Sequence, residues 1–220
     1  MLGQLEDFDG WLPFFARFDG HDGMLGLMHI ADYFGALIGG EQEFFKRKHG
    51  KAAKAFVSGR KCIRALQKEL DLPEFELLPG GFGPRWPSGL VGSISHSKTL
   101  VAAAILRDVV TVGIDVEEQG RLKIGAVDRI ATLEERERYS SIPDFDWTLL
   151  FSAKESVFKA INPLAKCYIG FREVELWLDS ASQSFSVTYS GNRIDKSLFE
   201  KSQVHWNIVA DHVITIVTVD

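Results

Sequence analysis

The sequence predicts an α+β fold built as two halves of similar size, and three observations predict it. The chain has 220 residues, which suits one large domain or two small ones of about 100 residues each. Its segments run in the order strands, helix, loop, strands, helices, strands, so each half sets helix among strands. A join between two strand-forming runs falls near residues 107–111.

Taken in order, Trp11 to Phe18 and Gly23 to Asp32 read as short strands around the turn-prone Asp19–Asp22 segment. Glu41 to Leu70 carries helical spacing through Phe44, Phe45, Ala52, Ala55, Phe56, Cys62, Ile63 and Leu66. Gly50 and Gly59 interrupt it, so two helices or one broken helix both satisfy the pattern. Leu78 to Gly89 is dense in Gly and Pro and reads as an irregular loop. Val91–Ser95, Leu100–Leu106 and Thr111–Glu117 are strands rich in Val and Ile. Leu122 to Tyr139 reads as helix with a break near Thr132. Asp146 to Ile161 is the clearest helix, stopped by Asn162-Pro163. The chain then returns to strands at Glu173–Leu178, Ser184–Tyr189, Val204–Ala210 and Val213–Val219.

Composition narrows the function. The chain is 45% hydrophobic and 25% charged, ordinary globular values. A net charge of -5 argues against nucleic acid as a partner. The two cysteines, Cys62 and Cys167, lack metal-ligand spacing and read as reduced thiols. The acidic N-terminus does not read as a signal peptide, and no stretch has the length of a membrane span. A cytoplasmic protein is expected.

Four constellations carry chemistry. In Val112-Gly113-Ile114-Asp115-Val116-Glu117, strand alternation sends the apolar residues to one face and both carboxylates to the other. That is either an acidic solvent face or a site for a hard cation, Mg²⁺ or Mn²⁺. In Phe151-Ser-Ala-Lys154-Glu155-Ser-Val-Phe-Lys159, an apolar helical stripe contains Lys154, and a cation in such a place calls for an anionic partner. Glu155 and Lys159 are four apart at the stripe's edge, which is either a solvated ion pair or part of a site. Gly92-Ser-Ile-Ser95-His96-Ser97 could hold a phosphate or be a plain turn, and it lacks the Walker spacing. The basic run Lys46-Arg47-Lys48, Lys51, Lys54, Arg60, Lys61 and Arg64 is a solvated helix face or a phosphate clamp. No His-x-x-x-His pair and no Gly-x-Ser-x-Gly elbow occurs, so zinc-protease and serine-hydrolase readings fall away. Carboxylates beside dispersed cations permit a metal-bound pyrophosphate with a further phosphate at a distance.

Three motifs in order sharpen this. Trp86-Pro-x-Gly89-x-x-Gly92-Ser-Ile-Ser95-His96, Gly113-Ile-Asp115-Val-Glu117, and Phe151-Ser-Ala-Lys154-Glu155-Ser-x-Phe158-Lys159-Ala160 resemble the Sfp-type 4′-phosphopantetheinyl transferases. The likeness covers roughly residues 40 to 220 and is closest to the siderophore-synthesis branch. It extends to Gly59-Arg60 and to Val204-His205-Trp206.

The resemblance implies a pseudo-twofold arrangement of two similar halves, 1–108 and 109–220, with coenzyme A in the cleft between them. It implies Asp115, Glu117 and Glu155 as ligands of Mg²⁺, with Mn²⁺ an alternative. Lys159 would touch the phosphate under attack, with Lys154 nearby. Arg60, Ser95 and His96 would hold the adenosine 3′-phosphate side. Glu135 would add an acidic position near the metal and, with a metal-bound water as the alternative, take the serine proton, leaving Glu155 chiefly a ligand. The implied reaction moves the phosphopantetheine arm of coenzyme A to a serine of an apo-acyl, peptidyl or aryl carrier protein, for siderophore or other secondary-metabolite synthesis. The chain is expected to act as a monomer. The rivals are a non-catalytic homologue that binds coenzyme A or carrier, and a metal-dependent nucleotide pyrophosphatase.

Overall fold

The computed structural model describes residues 14–32 and 35–220. Residues 11–13 of the first expected strand lie outside that range. The chain divides into two compact units, Met1–Val109 and Val110–Asp220.

In the first unit, β1 (Phe14–Arg17), β2 (Gly23–His29), β5 (Val91–His96) and β6 (Leu100–Leu106) form a four-stranded sheet in the order β1-β2-β6-β5. All its pairings are antiparallel. The helical run splits into α1 (Gly40–Phe45) and α2 (Gly50–Glu69). The split comes at Gly50, whose φ of 55° only glycine adopts cheaply. Gly59 does not break α2. A Cβ there would come within 3.3 Å of Ile94, so its bareness lets the helix settle on β5. Cys62, Ile63 and Leu66 of α2 pack against Met24, Met28, Val101, Ala103 and Ile105 of the sheet. The Gly/Pro loop is irregular apart from the two-residue pairing of β3 (Pro79–Gly80) with β4 (Gly83–Pro84). Trp86 lies over Gly92, where any Cβ would meet the indole ring at 2.4 Å, so part of the Trp-Pro motif is a packing device.

The second unit holds β7 (Thr111–Glu118), α3 (Val127–Ile130), α4 (Leu133–Ser140), α5 (Trp147–Ala165), β8 (Val174–Asp179), β9 (Ser184–Tyr189), α6 (Ser197–Glu200), β10 (Ser202–Val209) and β11 (His212–Val219). Its five-stranded sheet runs β7-β11-β10-β9-β8. The expected break near Thr132 is the N-cap of α4: Thr132 Oγ1 accepts the Glu135 N–H while the Glu135 carboxylate accepts the Thr132 N–H. The short helix α6 was not anticipated, because four residues carry no period.

One boundary differs from expectation. α5 does not stop at Asn162-Pro163 but runs to Ala165, with Pro163 inside its last turn. So near the end, proline costs a single backbone bond, and the Lys166 N–H still donates to the Asn162 carbonyl at 2.8 Å. The helix closes on Lys166, which takes the left-handed φ of 51° usual just past a helix end.

α5 lies against β7 and β11, and its small residues decide how closely. Ser152 Oγ bonds Thr215 Oγ1 of β11 at 2.9 Å, with both side chains fully buried. At β7 the approach depends on Gly113, where a Cβ would fall 1.9 Å from the Ser156 carbonyl oxygen. The obstacle is helix backbone, so no side chain can turn aside. Gly113→Ala should cost about 1–3 kcal/mol or more in urea unfolding; an unchanged midpoint would show that α5 can lift from β7 freely.

Candidate active site

The close seat of α5 on β7 creates the site. Alternation turns Thr111, Gly113, Asp115 and Glu117 toward α5, and Val112, Ile114 and Val116 to the opposite face. Asp115 and Glu117 are 3% and 7% exposed, which rules out an acidic solvent face. Burial demands compensation, and two cations supply it. Lys159 Nζ donates to Asp115 Oδ1 at 2.6 Å, and Arg121 Nη1 donates to Glu117 Oε1. Glu155 stands one helical turn before Lys159, half-buried at the same edge.

The electrostatics are those of crowded carboxylates. Burial pushes the Glu117 carboxyl up to about 7, Asp115 beside it adds to the rise, and Arg121 and Lys159 oppose it. Glu155 is also raised, first by burial and then by Asp115, against the pull of Lys159 and Arg121. Asp115, Glu117, Glu155, Lys159 and Arg121 therefore form one coupled group. Among the described residues, no three carboxylate, imidazole or thiol groups converge closely enough to hold one ion as they stand. The donor chemistry, hard oxygens pressed together in a half-dry place, nonetheless fits a divalent cation such as Mg²⁺. Lys159 and Arg121 stand where that charge would be needed.

Lys154 and Glu135 are elsewhere in this unit, and both are fully buried. Lys154 Nζ donates to Glu135 Oε2 at 2.6 Å and to the carbonyls of Ile130, Phe171 and Val174 at 2.7–2.9 Å. Glu135 also accepts the N–H of Leu176 at 2.8 Å. The anionic partner that the apolar stripe demanded is thus Glu135. Burial lowers the Lys154 pKa and Glu135 raises it. With its oxygens spent on Thr132, Lys154 and Leu176, Glu135 faces no solvent from which to take a proton. The expectations of Glu135 as base and of Lys154 beside a phosphate do not match these positions. The pair ties α4, α5 and β8 together.

In the first unit, Arg60 is buried at 6% exposure, stacks 4.4 Å over Phe56 and donates to the Leu77 carbonyl at 2.8 Å. Burial lowers its pKa to about 10, Glu41 pulls it up and Arg64 pushes it down, so it stays charged at neutral pH. The sequence reading missed Glu41. This buried carboxylate accepts with both oxygens from Arg64 Nη2 at 2.7 Å, accepts the N–H of Leu77 and lies 3.4 Å from Arg60 Nε. Arg60 and Arg64 one turn apart on α2 were the signal that a buried anion was needed. His96 is exposed at the end of β5 with Nδ1 3.1 Å from the Ser97 carbonyl, and Ser95 is buried. Gly59 lies against Ile94, so Arg60 and His96 stem from neighbouring segments. Elsewhere in the basic run, Lys54 pairs with Asp32 and Lys46 with Glu43.

The carboxylate-bearing edge strand beneath a Lys-Glu-x-x-x-Lys helix defines a class. Residues 111–217 match the 4′-phosphopantetheinyl transferase superfamily, and residues 40–106 match the 4′-phosphopantetheinyl transferase N-terminal domain. The chain belongs to this family. Among individual proteins, it is 42% identical over 139 residues to 4′-phosphopantetheinyl transferase Svp of Streptomyces mobaraensis, covering 60% of this chain and 56% of that one. It is 33% identical over 152 residues to 4′-phosphopantetheinyl transferase PptT of Mycobacterium tuberculosis, covering 66% of this chain and 67% of that one. Enterobactin synthase component D of Escherichia coli K12 is 31% identical over 141 residues, 60% of this chain and 61% of that one. The siderophore-branch likeness is therefore present, at lower identity than that to Svp. Among the described residues, no helix is long and apolar enough to cross a membrane.

Proposed function

We propose that the chain transfers the 4′-phosphopantetheine group of coenzyme A to a serine of an apo-carrier protein and releases adenosine 3′,5′-bisphosphate. The observation that carries this is the coupled group on β7 and α5, in a chain belonging to that family: Asp115, Glu117, Glu155 and Lys159 share one edge. Asp115 and Glu117 would hold Mg²⁺, which when bound supplies positive charge to the pyrophosphate oxygens. The serine Oγ attacks the phosphorus on the pantetheine side and the pyrophosphate P–O bond breaks. Lys159, released from Asp115, offers its ammonium to the phosphate oxygens as charge grows on the departing group. Glu155 takes the serine proton in place of Glu135, because it is half-buried at the reacting edge and burial makes it a stronger base than an ordinary carboxylate. Arg60 and His96 of the first unit are assigned to the 3′-phosphate. The carrier is of the siderophore or secondary-metabolite kind, given enterobactin synthase component D among the relatives.

The test is release of adenosine 3′,5′-bisphosphate from coenzyme A and Mg²⁺, with and without a panel of apo-carrier proteins. Release that requires a carrier supports transfer. Release without one would make the chain a pyrophosphatase, and none under any condition would make it a binding homologue.

A further inference from the structure

Arg121 belongs to no motif, yet the loop after β7 is built around it. The N–H of Gly120 donates to Asp146 Oδ2 at 2.9 Å, and the N–H of Leu122 donates to Thr148 Oγ1 at 3.1 Å. The residues on either side of Arg121 are thereby pinned to the first turn of α5, and Gly120 makes the bend with a φ of 66°. From that fixed point the side chain runs back over the Phe151 ring, its guanidinium carbon 5.7 Å from the centroid, and donates to Glu117. Its charge also bears on Glu155. The side chain is 49% exposed against 10% for Glu117, so the cation can leave and the carboxylate cannot.

We propose that Arg121 is the resident counter-ion of the carboxylate group and makes it selective for a divalent cation that arrives with phosphate oxygens over the bare cation. This rests on the assignment of Asp115 and Glu117 as cation ligands. A bare ion must take Glu117 from Arg121 and leave two positive charges side by side in a half-buried place, where repulsion is stronger than in water. An ion carrying a pyrophosphate brings oxygens that match the planar guanidinium fork. The displaced Arg121 then finds a new acceptor without leaving its platform on Phe151. Lys159 neutralises Asp115 in the same way, but it is assigned to the transfer step, so Arg121 is the cleaner probe.

The experiment titrates the full chain with Mn²⁺ by electron paramagnetic resonance, first alone and then with inorganic pyrophosphate. Arg121→Ala should bind Mn²⁺ alone about five- to tenfold tighter than wild type, and Mn²⁺ with pyrophosphate no tighter or more weakly. Arg121→Lys, which keeps the charge, should follow wild type for Mn²⁺ alone. Unchanged Mn²⁺ affinity in Arg121→Ala, or equal tightening with and without pyrophosphate, would overturn the proposal. Asp115→Asn separates the two levels. If it weakens Mn²⁺ binding while Arg121→Ala does nothing, the role of Arg121 alone falls. If it leaves Mn²⁺ binding intact, the ligand assignment falls and this proposal with it.

Discussion

Lys154→Met should destabilise the chain by about 3–5 kcal/mol, the cost of breaking a buried ion pair by removing one partner. The ammonium satisfies a carboxylate and the carbonyls of Ile130, Phe171 and Val174, all from elements other than its own helix. Methionine fills the space but donates nothing, so Glu135 becomes a buried charge without its cation. Adding Glu135→Gln should recover part of the loss, since the amide removes the stranded charge while keeping the carbonyl that can cap α4. Urea unfolding of both variants measures this. If Lys154 instead gripped a phosphate, Lys154→Met would leave the midpoint in place and weaken coenzyme A binding.

The second large effect is on rate. Lys159→Ala should lower kcat by two to three orders of magnitude, equivalent to about 2.7–4 kcal/mol of lost charge stabilisation, with a smaller change in KM for coenzyme A. The side chain is 29% exposed and its ammonium has Asp115 as acceptor at 2.6 Å, so it is both held and releasable. Stability should fall as well, because buried Asp115 loses the cation on its Oδ1, and urea unfolding measures that loss apart from the rate. Stopped-time assays across coenzyme A concentration separate the parameters. A rise in KM with kcat intact would mean that Lys159 only binds ligand.

How far the sequence went follows from the range of each signal. Strand alternation placed Asp115 and Glu117 on one face because its period is local, and the stripe on α5 placed Glu155 and Lys159 together for the same reason. The misfit of Lys154 was visible, but its partner lies on α4, 19 residues away, and only tertiary packing selects Glu135 for it. A similar separation hid Glu41, which meets Arg64 across 23 residues. Arg121 was silent because its place depends on Asp146 and Thr148, the N-cap and first turn of a helix, each bonded across 26 residues to a neighbour of Arg121. Pro163 misled because a helix-breaking rule for interiors was applied to a last turn, where the lost bond is cheap.

On the function proposed above, the buried carboxylates of β7 serve transfer of a phosphopantetheine arm. Intact mass of an apo-carrier protein, incubated with coenzyme A, Mg²⁺ and either the wild-type chain or Asp115→Asn, tests it most directly. The carrier should gain one phosphopantetheine with wild type, lose that gain on chelating Mg²⁺, and show no gain with Asp115→Asn at any Mg²⁺ concentration. A carrier modified equally well by Asp115→Asn, or modified with Mg²⁺ removed, would contradict it.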